Sequence, residues 1–129
     1  MIKNEDVRIL IVDDDEEYCR LLAGQLSSWG FSPRYISDAR EAMNEFVVYR
    51  PHIVLLDVRL PFKDSVELLK NMLASDPAVA VVMISAYVDQ QVAKKAIGLG
   101  ACDYIPKPTG GEELRRAIQW QVTGIEQGT

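Results

Sequence analysis

Three segments, Arg8-Ile-Leu-Ile-Val12, His52-Ile-Val-Leu-Leu56 and Val79-Ala-Val-Val-Met-Ile84, are short, rich in β-branched residues and apolar almost throughout. Their apolar positions run on without alternation, which predicts strands covered on both faces, as in a parallel sheet. Pro33 to Ser37 and Cys102 to Ile105 are weaker strand candidates. Between these runs the period lengthens to that of a helix. Tyr18, Leu21, Leu22, Gln25, Leu26 and Trp29 trace one face, ended by Gly30. Ala39, Ala42, Met43 and Phe46 trace a second, stopped before Pro51. Val66, Leu69, Met72 and Leu73 form a third, closed by Asp76-Pro77, and Val92, Ala93, Ala96 and Ile97 a fourth, closed by Gly98 and Gly100. Leu114, Ala117, Ile118, Gln121, Val122 and Ile125 give a fifth. The order is strand then helix five times over. It predicts a doubly wound α/β sandwich, (βα)5, with helices on both faces of a five-stranded parallel sheet and right-handed crossovers.

Composition bounds this picture without changing it. A chain of 129 residues, 48% apolar and 26% charged, suits one soluble globular domain. Such a length buries roughly two thirds of its unfolded surface, so neither metal nor disulfide is needed for folding. Cys19 and Cys102 stand far apart, outside any CxxC or metal-ligand pattern, and are expected as two buried thiols in a reducing compartment. Met1 leads into polar residues, unlike a signal peptide, and the longest apolar run is far too short to span a bilayer. A cytoplasmic protein without a membrane partner is expected. Fourteen basic against 19 acidic side chains give a net charge of −5, which disfavours a duplex-DNA binder.

The chemistry gathers at strand ends. Val12 is followed by Asp13, Asp14 and Asp15, and Leu56 by Asp57. In an open parallel sheet, ligands bind beyond the carboxyl ends of the strands, where the strand order reverses. With the order 2-1-3-4-5, strands one and three adjoin at that reversal, and Asp13, Asp14 and Asp57 converge. Three carboxylates so close repel unless protons or a cation intervene, and an all-oxygen site of this kind suits Mg2+. Asp15 is read instead as helix punctuation: it or a neighbour caps the first helix. Ser85 closes the fourth run and Lys107 follows the fifth, which brings both to the rim of the same crevice. A hydroxyl donor and an ammonium beside a carboxylate make a phosphoryl site.

These residues resemble a known family, the receiver (CheY-like) domain of two-component response regulators. The likeness covers essentially the whole chain. It rests on Ile-Val-Asp13-Asp14-Asp15, Pro-His-Ile-Val-Leu-Leu-Asp57-Val-Arg-Leu-Pro61, Met-Ile-Ser85-Ala86 and Gly-Ala-Cys-Asp-Tyr104-Ile-Pro-Lys107-Pro108, in order and at family-like spacing. The resemblance implies a flavodoxin-like fold, of which 2-1-3-4-5 is the known order. It also implies that Asp57 accepts a phosphoryl group from a histidine kinase or histidine phosphotransfer protein. Asp14 would ligate Mg2+ directly, Asp13 mainly through water, and the backbone carbonyl of Arg59 would complete the protein ligands beside Asp57. Lys107 would contact the phosphoryl oxygens and Ser85 would hydrogen-bond to them. Tyr104 matches the aromatic switch residue, and a cis peptide is implied between Lys107 and Pro108. The expected product is a phosphorelay switch that signals through its fourth helix, fifth strand and fifth helix to an output domain or a homodimer. It would phosphorylate and dephosphorylate itself without being a turnover enzyme.

Ser65 stands where the family usually has glycine, so its backbone must avoid strongly positive φ or carry strain. Thr109 replaces the usual phenylalanine, and Arg59 and Tyr87 occupy positions two residues after Asp57 and Ser85. These two larger side chains are expected to screen the phosphoryl group partly and slow hydrolysis. His52 is expected at the opposite end of the sheet in a structural or solvated role. Helical geometry turns Trp120 roughly 120° from the fifth helix's apolar stripe, outward with Glu113 and Arg116, toward a partner or dimer surface. The receiver domain is expected over 1–123, with 124–129 a tail or the start of a linker. Two other classes compete. One is a degenerate receiver that only binds, disfavoured by the intact Asp14, Asp57 and Lys107. The other is an Mg2+-dependent aspartate-based phosphatase, disfavoured by Arg59 where that chemistry commonly has a second acid.

Overall fold

The unbroken apolar runs become central strands because a helical layer waits on either side. A computed structural model describes residues 2–87, 89–107 and 111–128. Its strands are β1 (Ile9–Val12), β2 (Arg34–Ile36), β3 (Ile53–Asp57), β4 (Ala80–Ser85) and β5 (Asp103–Pro106). The helices are α1 (Glu16–Ser28), α2 (Ala42–Tyr49), α3 (Ser65–Ser75), α4 (Gln90–Leu99) and α5 (Glu112–Gly128), with short 3-10 turns at Asn4–Asp6 and Ala39–Glu41. The sheet is parallel throughout, in the order β2-β1-β3-β4-β5.

Successive strand side chains point to opposite faces, and the core divides accordingly. Ile9, Ile11, Ile53, Leu55, Val82 and Ile84 pack with Leu22 and Leu26 of α1 and Leu114, Ile118 and Val122 of α5. Leu10, Val12, Val54, Leu56, Val81 and Met83 pack with Phe46 of α2, Leu69 and Met72 of α3 and Ala96 of α4. Each central residue thus has an apolar neighbour, whichever way it points. The weaker runs became the edge strands β2 and β5, where one side of the ladder is unpaired and polar residues are tolerated.

Helix ends follow local chemistry. The Asp15 side chain accepts the N–H of Tyr18 at 3.1 Å and caps α1. Asp64 caps α3 and Asp89 caps α4 in the same way. Gly30 and Gly100 take positive φ, 95° and 116°, just past α1 and α4. Gly98, expected to help close the fourth helix, lies inside it; the left-handed turn is made once, at Gly100. The second helical face is divided into the Ala39–Glu41 turn and α2, which Arg50 ends in a left-handed conformation before Pro51. The segment 124–129, expected as a tail or the start of a linker, is helical as far as Gly128. Ile125 continues the apolar stripe onto the core and holds it there.

Of the two thiols expected to be buried, one is not. Cys19 is buried, but Cys102 is exposed. It immediately precedes the edge strand β5, which has a sheet neighbour on one side only. His52 lies at the start of β3, away from the carboxylates, and its Nδ1 accepts the backbone N–H of Arg8 at 2.9 Å.

Candidate functional site

Parallel pairing decides which side chains meet. Leu56 is in register with Val12, so Asp13 and Asp57 emerge side by side where β1 and β3 end. Carboxylate oxygens of Asp13, Asp14 and Asp57 lie within 4.8 Å of one another. Asp13 and Asp57 are buried, with 2% and 5% exposure, while Asp14 faces solvent.

Lys107 joins them from the far end of the sheet. Ser85 is in register with Pro106, and the Lys107 N–H donates to the Ser85 carbonyl at 2.6 Å. The side chain then reaches back across β4 and β3. Its ammonium donates to Asp13 Oδ2 and stands 3.5 Å from Asp57 Oδ1. Two carboxylates thus share one ammonium with a third, Asp14, beside them, an excess of negative charge in a partly desolvated pocket. The donor set fits a hard divalent cation: three carboxylates from two strand ends, one of them open to water.

The electrostatics reflect this crowding. Burial, reinforced by the Asp13 charge and opposed by Lys107, pushes the Asp57 carboxyl up to about 6. Burial acts to lower the Lys107 pKa, but the hydrogen bond and charge of Asp13, with Asp57, outweigh it and leave it raised. Lys107 is therefore a stable cation. Below the pocket, Cys19 Sγ donates to the Asp13 carbonyl at 3.2 Å, and burial with the Asp13 charge pushes this thiol up to about 12. It is not a nucleophile at neutral pH.

The remaining expected residues surround this centre. The Arg59 N–H donates to Asp57 Oδ1 at 3.3 Å, and the Arg59 guanidinium carbon lies 5.0 Å from the centroid of the Tyr87 ring. These two larger side chains therefore touch each other across the ends of β3 and β4. Ser85 is buried one residue beyond Ile84, the sheet partner of Asp57. Its hydroxyl donates to the Tyr87 carbonyl at 2.5 Å. The Tyr104 hydroxyl approaches the same carbonyl at 3.5 Å. Ser65, at the first turn of α3, is not among the positive-φ residues, which outside glycine are Arg50 and Phe62 among the described residues. Its hydroxyl donates to the Val58 carbonyl at 2.6 Å and ties α3 to the segment following Asp57. Pro108 and Thr109, with the implied cis bond, lie outside the described residues.

Some neighbours had no signal in the apolar pattern. Tyr18 reads there as a core position, yet its ring lies against the Lys107 ammonium. In a surface pocket with Asp14, Phe62 adopts φ 68°, and the Arg40 guanidinium lies over its ring, held by Asp38 with two contacts of 3.0 and 3.2 Å. Phe62 combines this positive φ with 75% exposure, and a sequence announces neither.

A five-stranded sheet of this order, with an acidic pocket and a lysine at its topological switch point, defines a class of signalling domain. The family model for the response regulator receiver domain matches residues 9–119, and the chain belongs to that family, the receiver domains of two-component systems. It is 34% identical over 112 residues to the regulatory protein AtoC of Escherichia coli, covering 87% of this chain and 24% of that protein. It is 40% identical over 108 residues to the nitrogen assimilation regulatory protein NtrX of Azorhizobium caulinodans, covering 82% of this chain and 24% of that one. The chain therefore spans about a quarter of the length of these curated relatives. Among solved structures, a CheY-like receiver domain protein from Methanospirillum hungatei superposes with a TM-score of 0.89 at 25% identity, covering 95% and 98% of the two chains. No described helix is long and apolar enough to cross a membrane.

Proposed function

We propose that this receiver domain takes a phosphoryl group onto Asp57 from a histidine kinase or histidine phosphotransfer protein, with Mg2+, and passes the change to an output domain or partner. The convergence of Asp13, Asp14, Asp57 and Lys107 at one switch point carries this reading. Asp57 Oδ attacks phosphorus in line; its bond to phosphorus forms as the bond from phosphorus to the imidazole nitrogen breaks, and the imidazole leaves. Asp13, Asp14, Asp57 and the backbone carbonyl of Arg59 would hold Mg2+, which when bound supplies positive charge for the phosphoryl oxygens. Lys107 supplies a further positive charge, and its contact with Asp13 keeps it within reach of Asp57. Water later hydrolyses the aspartyl phosphate and resets the domain.

Ser85 and Tyr104 are the proposed switch pair. Both hydroxyls are directed to the Tyr87 carbonyl, so a Ser85 hydroxyl turned toward a phosphoryl oxygen alters what holds Tyr104. The output surface is then α4, β5 and α5, and its partner an output domain or a second copy of the domain. AtoC and NtrX are regulatory proteins about four times as long as the matched stretch, which supports coupling to an output.

The test is incubation with Mg2+ and acetyl phosphate, followed by intact mass. One added phosphoryl group, absent in Asp57→Ala, is the expected result. No adduct, even with a competent kinase, would favour a domain that only binds.

A further inference from the structure

Lys107 has the carboxylates of Asp13 and Asp57 on one side and an aromatic ring on another. The Tyr18 ring centroid lies 4.4 Å from Lys107 Nζ, a distance at which the face of an aromatic ring attracts a cation. The ring is set by a closed chain of contacts. Asp13 Oδ1 accepts the Asp15 N–H at 3.0 Å, and Asp15 Oδ1 accepts the Tyr18 N–H at 3.1 Å. The Tyr18 ring covers Lys107, whose ammonium returns to Asp13 Oδ2. Tyr18 also packs against the α1–α5 side of the core, so its place does not depend on Lys107.

We propose that Tyr18 is a positioning residue for Lys107, holding the ammonium over the pocket while it exchanges Asp13 for the phosphoryl group on Asp57. The inference rests on the phosphoryl-transfer reading above. Lysine has a flexible four-carbon stem and does not keep one position without partners. Serving Asp57 means loosening the bond to Asp13, across a gap that starts at 3.5 Å. An aromatic face has no fixed acceptor atom, so its attraction persists through that shift. It also binds no proton and competes for no phosphoryl oxygen. A leucine would fill similar apolar space beside the stem, but without the quadrupole that attracts the charge.

The experiment compares Tyr18→Leu, Tyr18→Phe, Lys107→Ala and the Tyr18→Leu/Lys107→Ala double variant in the full chain, each checked for cooperative thermal unfolding. Acetyl phosphate is the donor; the bond from Asp57 to phosphorus forms as the bond to acetate breaks. The initial rate of phosphorylation is read by mass, and the Lys107 ε-methylene shift by NMR without donor. Tyr18→Leu is expected to abolish the ring-current displacement of that methylene and to slow phosphorylation about 3- to 10-fold. Tyr18→Phe is expected to retain both, and Tyr18→Leu to cost nothing further once Lys107 is alanine. A wild-type rate in Tyr18→Leu overturns the proposal, as does a loss in Tyr18→Phe as large as in Tyr18→Leu. An equal loss in the Lys107→Ala background also overturns it, since Tyr18 would then act elsewhere. If Lys107→Ala itself phosphorylates normally, the role given to Lys107 fails, and the inference with it.

Discussion

The Lys107 ammonium is hydrogen-bonded to Asp13, yet stands 3.5 Å from Asp57, the carboxylate proposed to react. Asp57 is thus buried beside a cation that is shared. Its carboxyl is pushed up to about 6 from the ordinary 3.8, chiefly by burial. A carboxyl raised in the folded state opposes folding above its unfolded pKa: the penalty grows from about pH 4 and is complete above about pH 6. Asp57→Asn is therefore expected to stabilise the domain at pH 7.5 in EDTA, by up to about 3 kcal/mol, with the gain fading toward pH 4. Urea unfolding at the two pH values measures it. Mg2+ should raise the melting temperature of the wild type and have little effect on Asp14→Ala.

The contact between Arg59 and Tyr87 bridges the ends of β3 and β4 beside the acceptor. Truncating both to alanine is expected to shorten the phosphorylated half-life several-fold by admitting water. A half-life unchanged in the double variant rules out screening by this pair.

Ser65 meets a structural demand differently from glycine. Its hydroxyl bond to the Val58 carbonyl is partly buried, and it occupies the first turn of α3. Ser65→Gly, although it restores the family's usual residue, should destabilise the domain by about 1–2 kcal/mol through the lost bond and added chain entropy. The shift in urea midpoint is the readout.

His52 makes one contribution to stability depend on pH. Its pKa is lowered by burial and then by Arg8, with Asp76 opposing, and its Nδ1 is already an acceptor for the Arg8 N–H. A histidine depressed in the fold contributes stability above its unfolded pKa of about 6.5, lost as the pH falls through the folded value. His52→Asn, which keeps an acceptor without titrating, is expected to lose less stability than the wild type between pH 7.5 and 5.5, measured by urea unfolding.

Trp120 is 76% exposed and lines a surface cavity with Glu113, Arg116 and Cys102. If α4, β5 and α5 form the output face, Trp120→Ala should weaken phosphorylation-dependent association on the order of tenfold, as expected for a tryptophan anchor. Sedimentation velocity with and without acetyl phosphate tests it. Full-strength association in the variant places the interface elsewhere.

Most of the architecture was legible in the chain because burial on both faces leaves a continuous apolar signature. Ile9–Val12, Ile53–Leu56 and Ala80–Ile84 show it, and the helices between them keep the period that one buried face requires. The carboxylates were legible for a related reason: an aspartate directly after such a run must emerge at the strand's carboxyl end. Local chemistry likewise located the Asp15 cap and the Gly30 and Gly100 stops. Contacts across the sheet belong to another level. That Lys107 bonds to Asp13 while lying near Asp57, that Tyr18 faces the ammonium, and that Ser85 and Tyr104 meet at one carbonyl depend on register and rotamers. So do the positive φ of Phe62 and the exposure of Cys102. Such features join residues as far apart as Asp13 and Lys107, and no periodicity along a chain records distances between segments. The sequence thus determined which groups lie at the crevice; three-dimensional packing decided which of them touch.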